Sequence, residues 1–201
     1  MTDSDADHVE KMKALQADQK QKRQESVAPD RGLVLIHTGN GKGKSSSAFG
    51  VLARALGWGH QAGVIQFIKG SWKTGEKQFF DKFPNQITWR TMGEGFTWNT
   101  QDRDRDIAAA TRALTTSAEM LASGDFDLIL LDEINIAIRY DYLKVSAVIA
   151  ALQQRSKRTS VILTGRDAKP ELIDLADLVT EMKEIKHPYH AGIMAQQGID
   201  Y

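Results

Sequence analysis

The sequence predicts an α/β fold: a mostly parallel sheet of about six strands with helices on both faces. Two observations predict this fold class. From residue 32 onward, short runs rich in aliphatic and β-branched residues alternate with segments of helical periodicity. Strands separated by helices form parallel sheets that are covered on both faces. In addition, a glycine-rich turn joins the first apolar run to the first helical segment.

Six apolar runs are the strand candidates. They are GLVLIHT (32–38), AGVIQFI (62–68), QITWR (86–90), FDLILLD (126–132), TSVILTG (159–165) and ADLVTEM (176–182). Helical patterns lie between them at about 45–56, 75–82, 101–122, 141–154 and 170–175. We therefore expect residues 31–201 to form one domain, because their length suits a single core.

Residues 1–30 differ from the rest of the chain. They are rich in Asp, Lys and Gln, and the apolar residues Val9, Met12 and Leu15 have helix-like spacing. So few apolar side chains offset little of the entropy that is lost on ordering. We expect a polar N-terminal arm, which is either a solvated or disordered tail or an arm that becomes ordered over the active site or on a partner.

Charge and cysteine content exclude several classes of function. The 26 basic residues balance 26 acidic ones, so no overall field favours nucleic acid or an anionic membrane. The chain has no Cys, which excludes disulfides, thiolate zinc sites and cysteine nucleophiles and is compatible with a reducing compartment. No apolar run approaches the roughly 18 residues of a membrane span. We expect a soluble, cytoplasmic protein.

The stretch HTGNGKGKSSSAFG (37–50) predicts a phosphate-binding loop, or P-loop. A strand, a glycine-rich turn and a helix that opens on Lys-Ser wrap backbone N–H groups around phosphate oxygens. Lys44 is placed to reach the phosphates, and Ser45 follows at the position whose hydroxyl ligates Mg²⁺ in such loops. The general pattern requires glycine where this chain has Thr38. The predicted nucleotide-binding residues of the loop are Thr38, Gly39, Asn40, Gly41, Lys42, Gly43, Lys44, Ser45 and Ser46.

Two adjacent carboxylates supply a second signal. The apolar strand FDLILLD ends in Asp132, and Glu133 follows directly, which places both acids at the carboxyl edge of a parallel sheet. Successive strand residues point to opposite sides, so one acid is expected near Mg²⁺ and the other in a local hydrogen bond. The pattern leaves open which acid has which role. Together with the loop, it indicates a nucleotide and magnesium.

Other chemistries fit the sequence less well. A dinucleotide-binding GxGxxG pattern would need glycine where Lys44 stands, and no acid for a ribose follows the second strand. No Ser/His/Asp constellation suggests itself, and the pair His187 and His190 is interrupted by Pro188. Phosphate-binding motifs do not by themselves choose among hydrolysis, phosphoryl transfer and attack elsewhere on ATP.

The chain contains six distinctive segments: TGNGKGKSSSAFG (38–50), QFIKG (66–70), GEGFTWNTQDRDRD (93–106), LLDEINIAIRYDYL (130–143), TGR (164–166) and HAGIMAQQGIDY (190–201). In these segments it resembles the bacterial P-loop ATP:corrinoid adenosyltransferases, whose loop also has threonine in place of the first glycine. The resemblance implies a P-loop, RecA-like fold. It also implies transfer of the 5′-deoxyadenosyl group of ATP to the Co(I) of cobalamin or precursor corrinoids, with release of triphosphate, in adenosylcobalamin biosynthesis and corrinoid salvage.

The resemblance also implies roles for particular residues. ATP is expected to lie reversed relative to most P-loop enzymes, so that C5′ faces the nucleophile, with Lys44 in the catalytic machinery. Phe96 and Trp98 of GEGFTW are expected to pack against the lower face of the corrin and displace the axial base of cobalt. Arg166 is expected at the ATP site, and Glu133 is favoured for Mg²⁺. A homodimer and an electron-donating flavoprotein are the implied partners.

Two other functions are compatible with the phosphate-binding motifs alone. One is a RecA-like ATPase or a small-molecule kinase, for which the GKS and LLDE segments would suffice. The other is a non-catalytic, nucleotide-dependent module that presents the aromatic loop to a protein partner. ADP formed without corrinoid would favour the first of these functions, and capture of a partner without turnover would favour the second.

Overall fold

Among the residues that the structure describes, 5–68, 70, 74–93 and 102–200, six strands pair in parallel in one sheet. The structure is a computed structural model. The strands are β1 (Val34–Thr38), β2 (Ala62–Gln66), β3 (Ile87–Thr91), β4 (Leu128–Asp132), β5 (Ser160–Thr164) and β6 (Leu178–Glu181). Each lies within one residue of, or inside, a run expected to be a strand, so the predicted α/β fold with a parallel sheet is confirmed.

Helices connect the strands. In the described part of the domain they are α2 (Lys44–Gly57), α3 (Gly75–Phe80), α4 (Arg103–Ser123), α5 (Ile134–Arg139), α6 (Val145–Gln153) and α7 (Pro170–Leu175), with a 3₁₀ turn at Pro188–Ala191. Helix α5 is not predicted by the sequence pattern, because the apolar run through Asp132 continues into INIAI without a break in hydrophobicity. The strand ends because Glu133 adopts a left-handed conformation, with φ of 63°, which turns the chain into the helix.

The sheet has an apolar core on each face, because successive strand residues point to opposite sides. Val64, Leu130 and Ile162 lie on the face that α2 and α3 cover, and their neighbours Ile65, Leu131 and Leu163 lie on the face that α4 to α7 cover. These strand residues are at most 1% exposed. Both faces are therefore covered, as the alternation of strands and helices predicts.

The strand order is β3-β2-β4-β5-β1-β6. One strand, β5, therefore separates the P-loop strand β1 from the acidic strand β4. Because all the strands are parallel, their carboxyl ends meet at one edge of the sheet, where ligands bind in open α/β folds. This edge brings the P-loop, Asp132 and the end of β2 together.

The first 30 residues form a separate compact unit. Within it, α1 (Asp5–Glu25) is a helix whose described side chains are all exposed, including Val9, Met12 and Leu15. Lys22 Nζ lies 2.8 Å from Asp18, one turn away. The arm thus contains a helix with exposed side chains, and its order and role stay predictions. Of the helices in the described ranges, none combines the length and the apolar character that crossing a membrane requires.

Candidate active site at the P-loop

The P-loop is held against the chain that follows β6. Met182 N–H donates to the carbonyl of Thr38 over 2.8 Å, and Gly41 N–H donates to the carbonyl of Met182 over 2.8 Å. A Cβ on Gly41 would lie 2.7 Å from the backbone of Lys183, and Gly39 has a φ of 97°. Both positions therefore require glycine, one because the backbones approach closely and the other because its conformation is left-handed.

Thr38 has a structural role at the position where the general loop pattern has glycine. Its side chain is buried, and its Oγ1 accepts a hydrogen bond of 3.1 Å from the N–H of Ala168, in the loop after β5. Threonine therefore ties the start of the P-loop to a neighbouring strand connection. A glycine at this position would lack that bond.

Lys44 is the first residue of α2, and its ammonium group folds back onto the loop. Nζ donates to the carbonyl of Gly41, so the side chain already lies along the loop interior. Burial lowers the pKa of Lys44, the positive charge of Arg166 lowers it further, and Glu133 and Glu184 oppose both effects. A partly desolvated ammonium at a helix N-terminus suits contact with phosphate oxygens.

Ser45 and Asp132 are brought into direct contact. Ser45 Oγ donates to Asp132 Oδ1 over 2.8 Å, and Thr164 Oγ1 donates to the same oxygen over 2.8 Å. Asp132 and Thr164 are both fully buried. Because the hydroxyl hydrogen of Ser45 is given to Asp132, the lone pairs of its oxygen face away from the carboxylate and are available to a cation.

Glu133 follows Asp132 directly, and its charge acts on Lys44 of the loop. Its backbone N–H donates to Thr164 Oγ1 over 2.8 Å, and its side chain is close enough to Lys44 to raise the pKa of that ammonium. The two acids thus occupy different environments: Asp132 is enclosed by donors under the loop, whereas Glu133 is half-buried beside it. Sequence reasoning assigned no role to Thr164, which joins the two acids through one hydroxyl.

His37 is a further polar residue under the loop to which sequence reasoning gave no role. Its Nδ1 lies 2.8 Å from Ser47 Oγ and 3.3 Å from the carbonyl of Lys44. Burial lowers the pKa of His37, which favours a neutral ring. These contacts connect the first turn of α2 to the end of β1.

Lys42 and Ser46 lie on the outer side of the loop. They line a cavity of about 650 Å³ whose other walls come from α3 and from the chain near its C-terminus, at Gly198–Asp200. Lys42 Nζ forms a salt bridge with Asp200, and this contact lowers the pKa of the Asp200 carboxyl. The sequence named the segment that contains Asp200 but gave no reason to place it against the loop.

Asn40 and Arg166 lie on the other side of the loop. Both line a cavity of about 700 Å³ with Glu181, Glu184 and His190. Arg166 is exposed, and its charge acts on Lys44. The loop residues, Lys44 and Arg166 are thus brought to one edge. Phe96 and Trp98 lie outside the described residues.

The oxygen donors at this edge fit a magnesium ion held partly by a nucleotide. Mg²⁺ prefers hard oxygen ligands and is usually bound through one or two protein groups together with phosphates and water. Ser45, Asp132 and Glu133 supply a hydroxyl and two carboxylates around the loop. Within the described ranges, no group of three or more His, Asp or Glu side chains could hold a metal alone, which is compatible with a site that the nucleotide completes.

The family model for ATP:corrinoid adenosyltransferase BtuR/CobO/CobP matches residues 30–201. A corrinoid adenosyltransferase of Pseudomonas aeruginosa is 53% identical over 172 residues, which is 86% of this chain and 85% of that protein. Corrinoid adenosyltransferases of Sinorhizobium sp. and Escherichia coli K12 are 45% and 43% identical, covering 98% and 86% of this chain and 92% and 87% of their own lengths.

Among solved structures, a KaiC-like protein from Pyrococcus horikoshii OT3 is similar over 78% of this chain and 75% of that chain. Its TM-score is 0.42 and its sequence identity 13%, a likeness too remote to bear on function.

Proposed function

The chain belongs to the ATP:corrinoid adenosyltransferase family BtuR/CobO/CobP and is a corrinoid adenosyltransferase of cobalamin biosynthesis and salvage; we propose that it carries out this reaction with ATP bound at the P-loop. The observation that carries the proposal is the joining of Lys44, Ser45 and Asp132 under the loop, with Glu133 beside it. These groups lie at the glycine-rich loop and the start of α2, the arrangement that binds phosphate groups in nucleotide-binding proteins.

The proposed reaction is a displacement at C5′ of ATP. Co(I) of the reduced corrinoid attacks C5′, a Co–C bond forms, the C5′–O bond breaks, and its electron pair leaves with triphosphate. The nucleophile belongs to the corrinoid, so the protein needs neither a general base nor a nucleophilic side chain. Its contribution is to position the two substrates and to stabilise the leaving anion.

Lys44 and Lys42 supply the positive charge for that anion. Lys44 Nζ lies along the loop interior, and Lys42 lies on the outer side of the loop. Charge builds on the triphosphate as the bond breaks, so both ammonium groups interact more strongly with the transition state than with ATP. Arg166 adds a third positive group on the Asn40 side. ATP reversed in the loop would present C5′ to the corrinoid.

We assign the Mg²⁺ site to Ser45 and the two acids. Ser45 offers oxygen lone pairs because its hydrogen is donated to Asp132, and Glu133 is the acid on the loop side. Asp132 would then act through Ser45, and Glu133 would contact the ion directly or through water. When bound, Mg²⁺ supplies positive charge that offsets the charge on the triphosphate.

Phe96 and Trp98 are proposed to contact the lower face of the corrin. Aromatic rings there would displace the axial base of cobalt, which makes Co(II) easier to reduce, and would exclude water from Co(I). We expect Trp98→Ala to slow the reaction from Co(II) corrinoid with a weak reductant more than the reaction from chemically prepared Co(I). Equal losses in the two assays would contradict the displacement of the axial base.

The proposal also covers the oligomeric state, the electron donor and the cellular location of the protein. We expect a homodimer, an electron-donating flavoprotein that reduces the corrinoid, and a cytoplasmic location that suits the absence of Cys. Light scattering of the purified chain measures the oligomeric state. A monomer at working concentrations that has full activity would remove the dimer from the proposal.

Product analysis tests the central claim. MgATP is incubated anaerobically with and without cob(I)alamin, the phosphates are separated, and the corrin spectrum is recorded. We expect triphosphate and an alkylcobalamin spectrum only when the corrinoid is present. ADP and phosphate formed regardless of corrinoid would instead indicate an ordinary ATPase or kinase.

A further inference from the structure

A row of polar side chains crosses the carboxyl edge of the sheet beneath the P-loop. Gln66 at the end of β2 is level with Thr91 of β3 on one side and with Asp132 of β4 on the other. Residues that are level on parallel strands point to the same face. The hydrogen bonds of this row continue through Asp132 to Ser45, the proposed magnesium ligand. Gln66 belongs to the QFIKG segment, which has no role in the reaction as described above.

The side chain of Gln66 has one defined orientation. Its Nε2 donates to Asp132 Oδ2 over 3.1 Å, and its Oε1 accepts from Trp89 Nε1 over 3.1 Å. An indole nitrogen only donates, so the amide oxygen of Gln66 must face Trp89, which leaves the amide nitrogen facing Asp132. A flipped amide would lose both bonds.

Two further contacts hold this arrangement in place. Thr91 Oγ1 donates to Gln66 Oε1 over 3.2 Å. The ring of Trp89 stacks on Phe49 of α2, with centroids 5.6 Å apart and planes inclined by 6°. Helix α2 is the helix that begins with Lys44 and Ser45, so the ring that orients Gln66 packs on the helix that carries the loop lysine and serine.

Asp132 needs such a partner because it is fully buried. A buried carboxylate is stabilised as an anion only when its oxygens receive hydrogen bonds. Ser45 and Thr164 donate to Oδ1, and Gln66 donates to Oδ2. Gln66 is itself only 5% exposed, so its amide bonds are little exposed to competition from water.

We propose that Gln66 is a positioning residue for the magnesium site, oriented by Trp89 and Thr91 so that its amide holds Asp132 in the rotamer that accepts the hydrogen of Ser45. The inference rests on the proposed magnesium site and adds three residues to it. Loss of the amide lets Asp132 rotate, the Ser45 hydroxyl loses its fixed direction, and the metal is held less tightly. Partners of this kind typically change metal affinity by about 10- to 100-fold.

The test measures Mn²⁺ binding, with Mn²⁺ as a paramagnetic probe in place of Mg²⁺. The dissociation constant of Mn²⁺ is determined by electron paramagnetic resonance for the full chain with saturating ATP and no corrinoid. We expect Gln66→Leu to weaken Mn²⁺ binding by about 10-fold or more, and Thr91→Val and Trp89→Phe to weaken it less. Trp89→Phe removes the N–H and keeps a ring to stack on Phe49.

A double substitution separates positioning from a general structural effect. If Trp89 acts through Gln66, Trp89→Phe weakens Mn²⁺ binding in the wild-type background and has no further effect in Gln66→Leu. The matched control is Gln86→Leu, which removes a half-buried glutamine at the opposite edge of the sheet that donates to Leu56. We expect this control to leave Mn²⁺ binding unchanged.

Several outcomes would overturn the inference. The first is that Gln66→Leu folds and has the wild-type Mn²⁺ dissociation constant, while Ser45→Ala alone weakens Mn²⁺ binding. The proposed site would then stand without Gln66. Additive losses in the double variant would also overturn it. No ATP-dependent Mn²⁺ binding by the wild type would overturn the proposed site as well. If Gln66→Leu does not fold, Thr91→Val at the exposed edge of the sheet is the deciding variant. An unchanged Mn²⁺ dissociation constant in Thr91→Val contradicts the inference, and weaker Mn²⁺ binding supports it.

Discussion

At the scale of single residues, the hydroxyls of Ser45 and Thr164 and the ammonium of Lys44 form hydrogen bonds of defined direction at the P-loop. The hydrogen of Ser45 points to Asp132, and that of Thr164 points to the same carboxylate. These directions leave the oxygen of Ser45 open towards the loop. Lys44 is held by a loop carbonyl near the space where the phosphates are proposed to bind.

Substitution of Lys44 should separate activity from stability. Lys44→Ala removes a half-buried ammonium whose pKa is already lowered by burial, so the fold loses little when it is absent. We expect turnover to fall by about 100-fold or more, the range of a lost electrostatic contact to the transition state, with the midpoint of thermal unfolding near the wild-type value. Adenosylation and calorimetry measure the two effects.

Lys157→Ala is the control for Lys44→Ala, since Lys157 is an exposed lysine just before β5, at the other edge of the sheet. It should change neither activity nor stability. A large loss of stability in Lys44→Ala would indicate a structural role for the loop lysine and would contradict its proposed role.

Two buried threonines at opposite ends of β5 form a matched pair. Thr164→Val removes the hydroxyl that donates to Asp132 and accepts from the N–H of Glu133. Thr159→Val removes one that donates to the carbonyl of Phe126 at the far edge. We expect each to reduce the free energy of unfolding by about 1–3 kcal/mol and only Thr164→Val to weaken ATP-dependent metal binding. Equal effects on metal binding would contradict the role assigned to Thr164.

At the scale of elements, the P-loop depends on the segment after β6. The backbone bonds between Thr38, Gly41 and Met182 hold the loop against a part of the chain far away in sequence. Glycine is needed where these backbones touch, because any Cβ there would meet main-chain atoms that cannot move independently. The conformation of the loop is therefore a property of two elements together.

Alanine substitutions at two glycines test this dependence, because they should change the stability of the protein in opposite directions. A Cβ at Gly41 would lie 2.7 Å from the backbone of Lys183, whereas at Gly50, within α2, it would meet nothing within 4 Å. We expect Gly41→Ala to weaken ATP binding and to lower the midpoint of unfolding. Gly50→Ala should stabilise the protein by roughly 0.5–1 kcal/mol through helix propensity. Calorimetric titration with ATP and thermal unfolding measure both. Wild-type ATP affinity in Gly41→Ala would show that the contact with Lys183 does not shape the loop.

At the scale of the whole domain, one aspartate connects the chain at the start of the first strand to the chain just before the last strand. Asp177, just before β6, accepts hydrogen bonds from Arg31 and from the N–H of Val34. The side-chain hydrogen bonds of Arg31, helped by the backbone bond, lower the pKa of Asp177 from 3.8 to about 2. The edge strand β6 and its neighbour β1 are thus held together by Asp177 at their amino ends, as well as paired along their lengths.

This contact predicts how stability depends on pH. Because the pKa of Asp177 is lower in the folded state, its contribution is fully present above about pH 4 and is lost as the pH falls towards 2. We expect Asp177→Asn to cost roughly 1 kcal/mol at pH 7, less than the full shift implies, because Arg31 is 45% exposed and water screens the pair. The gap in unfolding midpoint between this variant and the wild type should narrow as the pH falls from 4 to 2, whereas the exposed control Asp125→Asn should match the wild type throughout. A gap as large at pH 2 as at pH 7 would contradict the assignment.

Much of this protein follows from local sequence patterns. Three features depend on residues that are close together in the chain: the alternation of strands and helices, the loop ending in Lys44 and Ser45, and the acids at the end of β4. These features indicate the sheet, the P-loop and the edge of the sheet where the loop lies. The family resemblance needs only the same local segments. Helix α5 was not predicted, because its first turn follows an apolar strand without a change of hydrophobic pattern. The change from strand to helix depends on one residue in the left-handed conformation, Glu133.

Only the tertiary structure decided which distant residues meet at that edge. The register of β2 with β3 and β4 places Gln66 between Thr91 and Asp132, and the P-loop contacts Met182 after β6. Sequence periodicity shows which face a residue occupies, but not which residue of another strand lies level with it, because the register depends on packing across the whole sheet. The partners that orient Asp132 therefore became visible only when the strands were assembled.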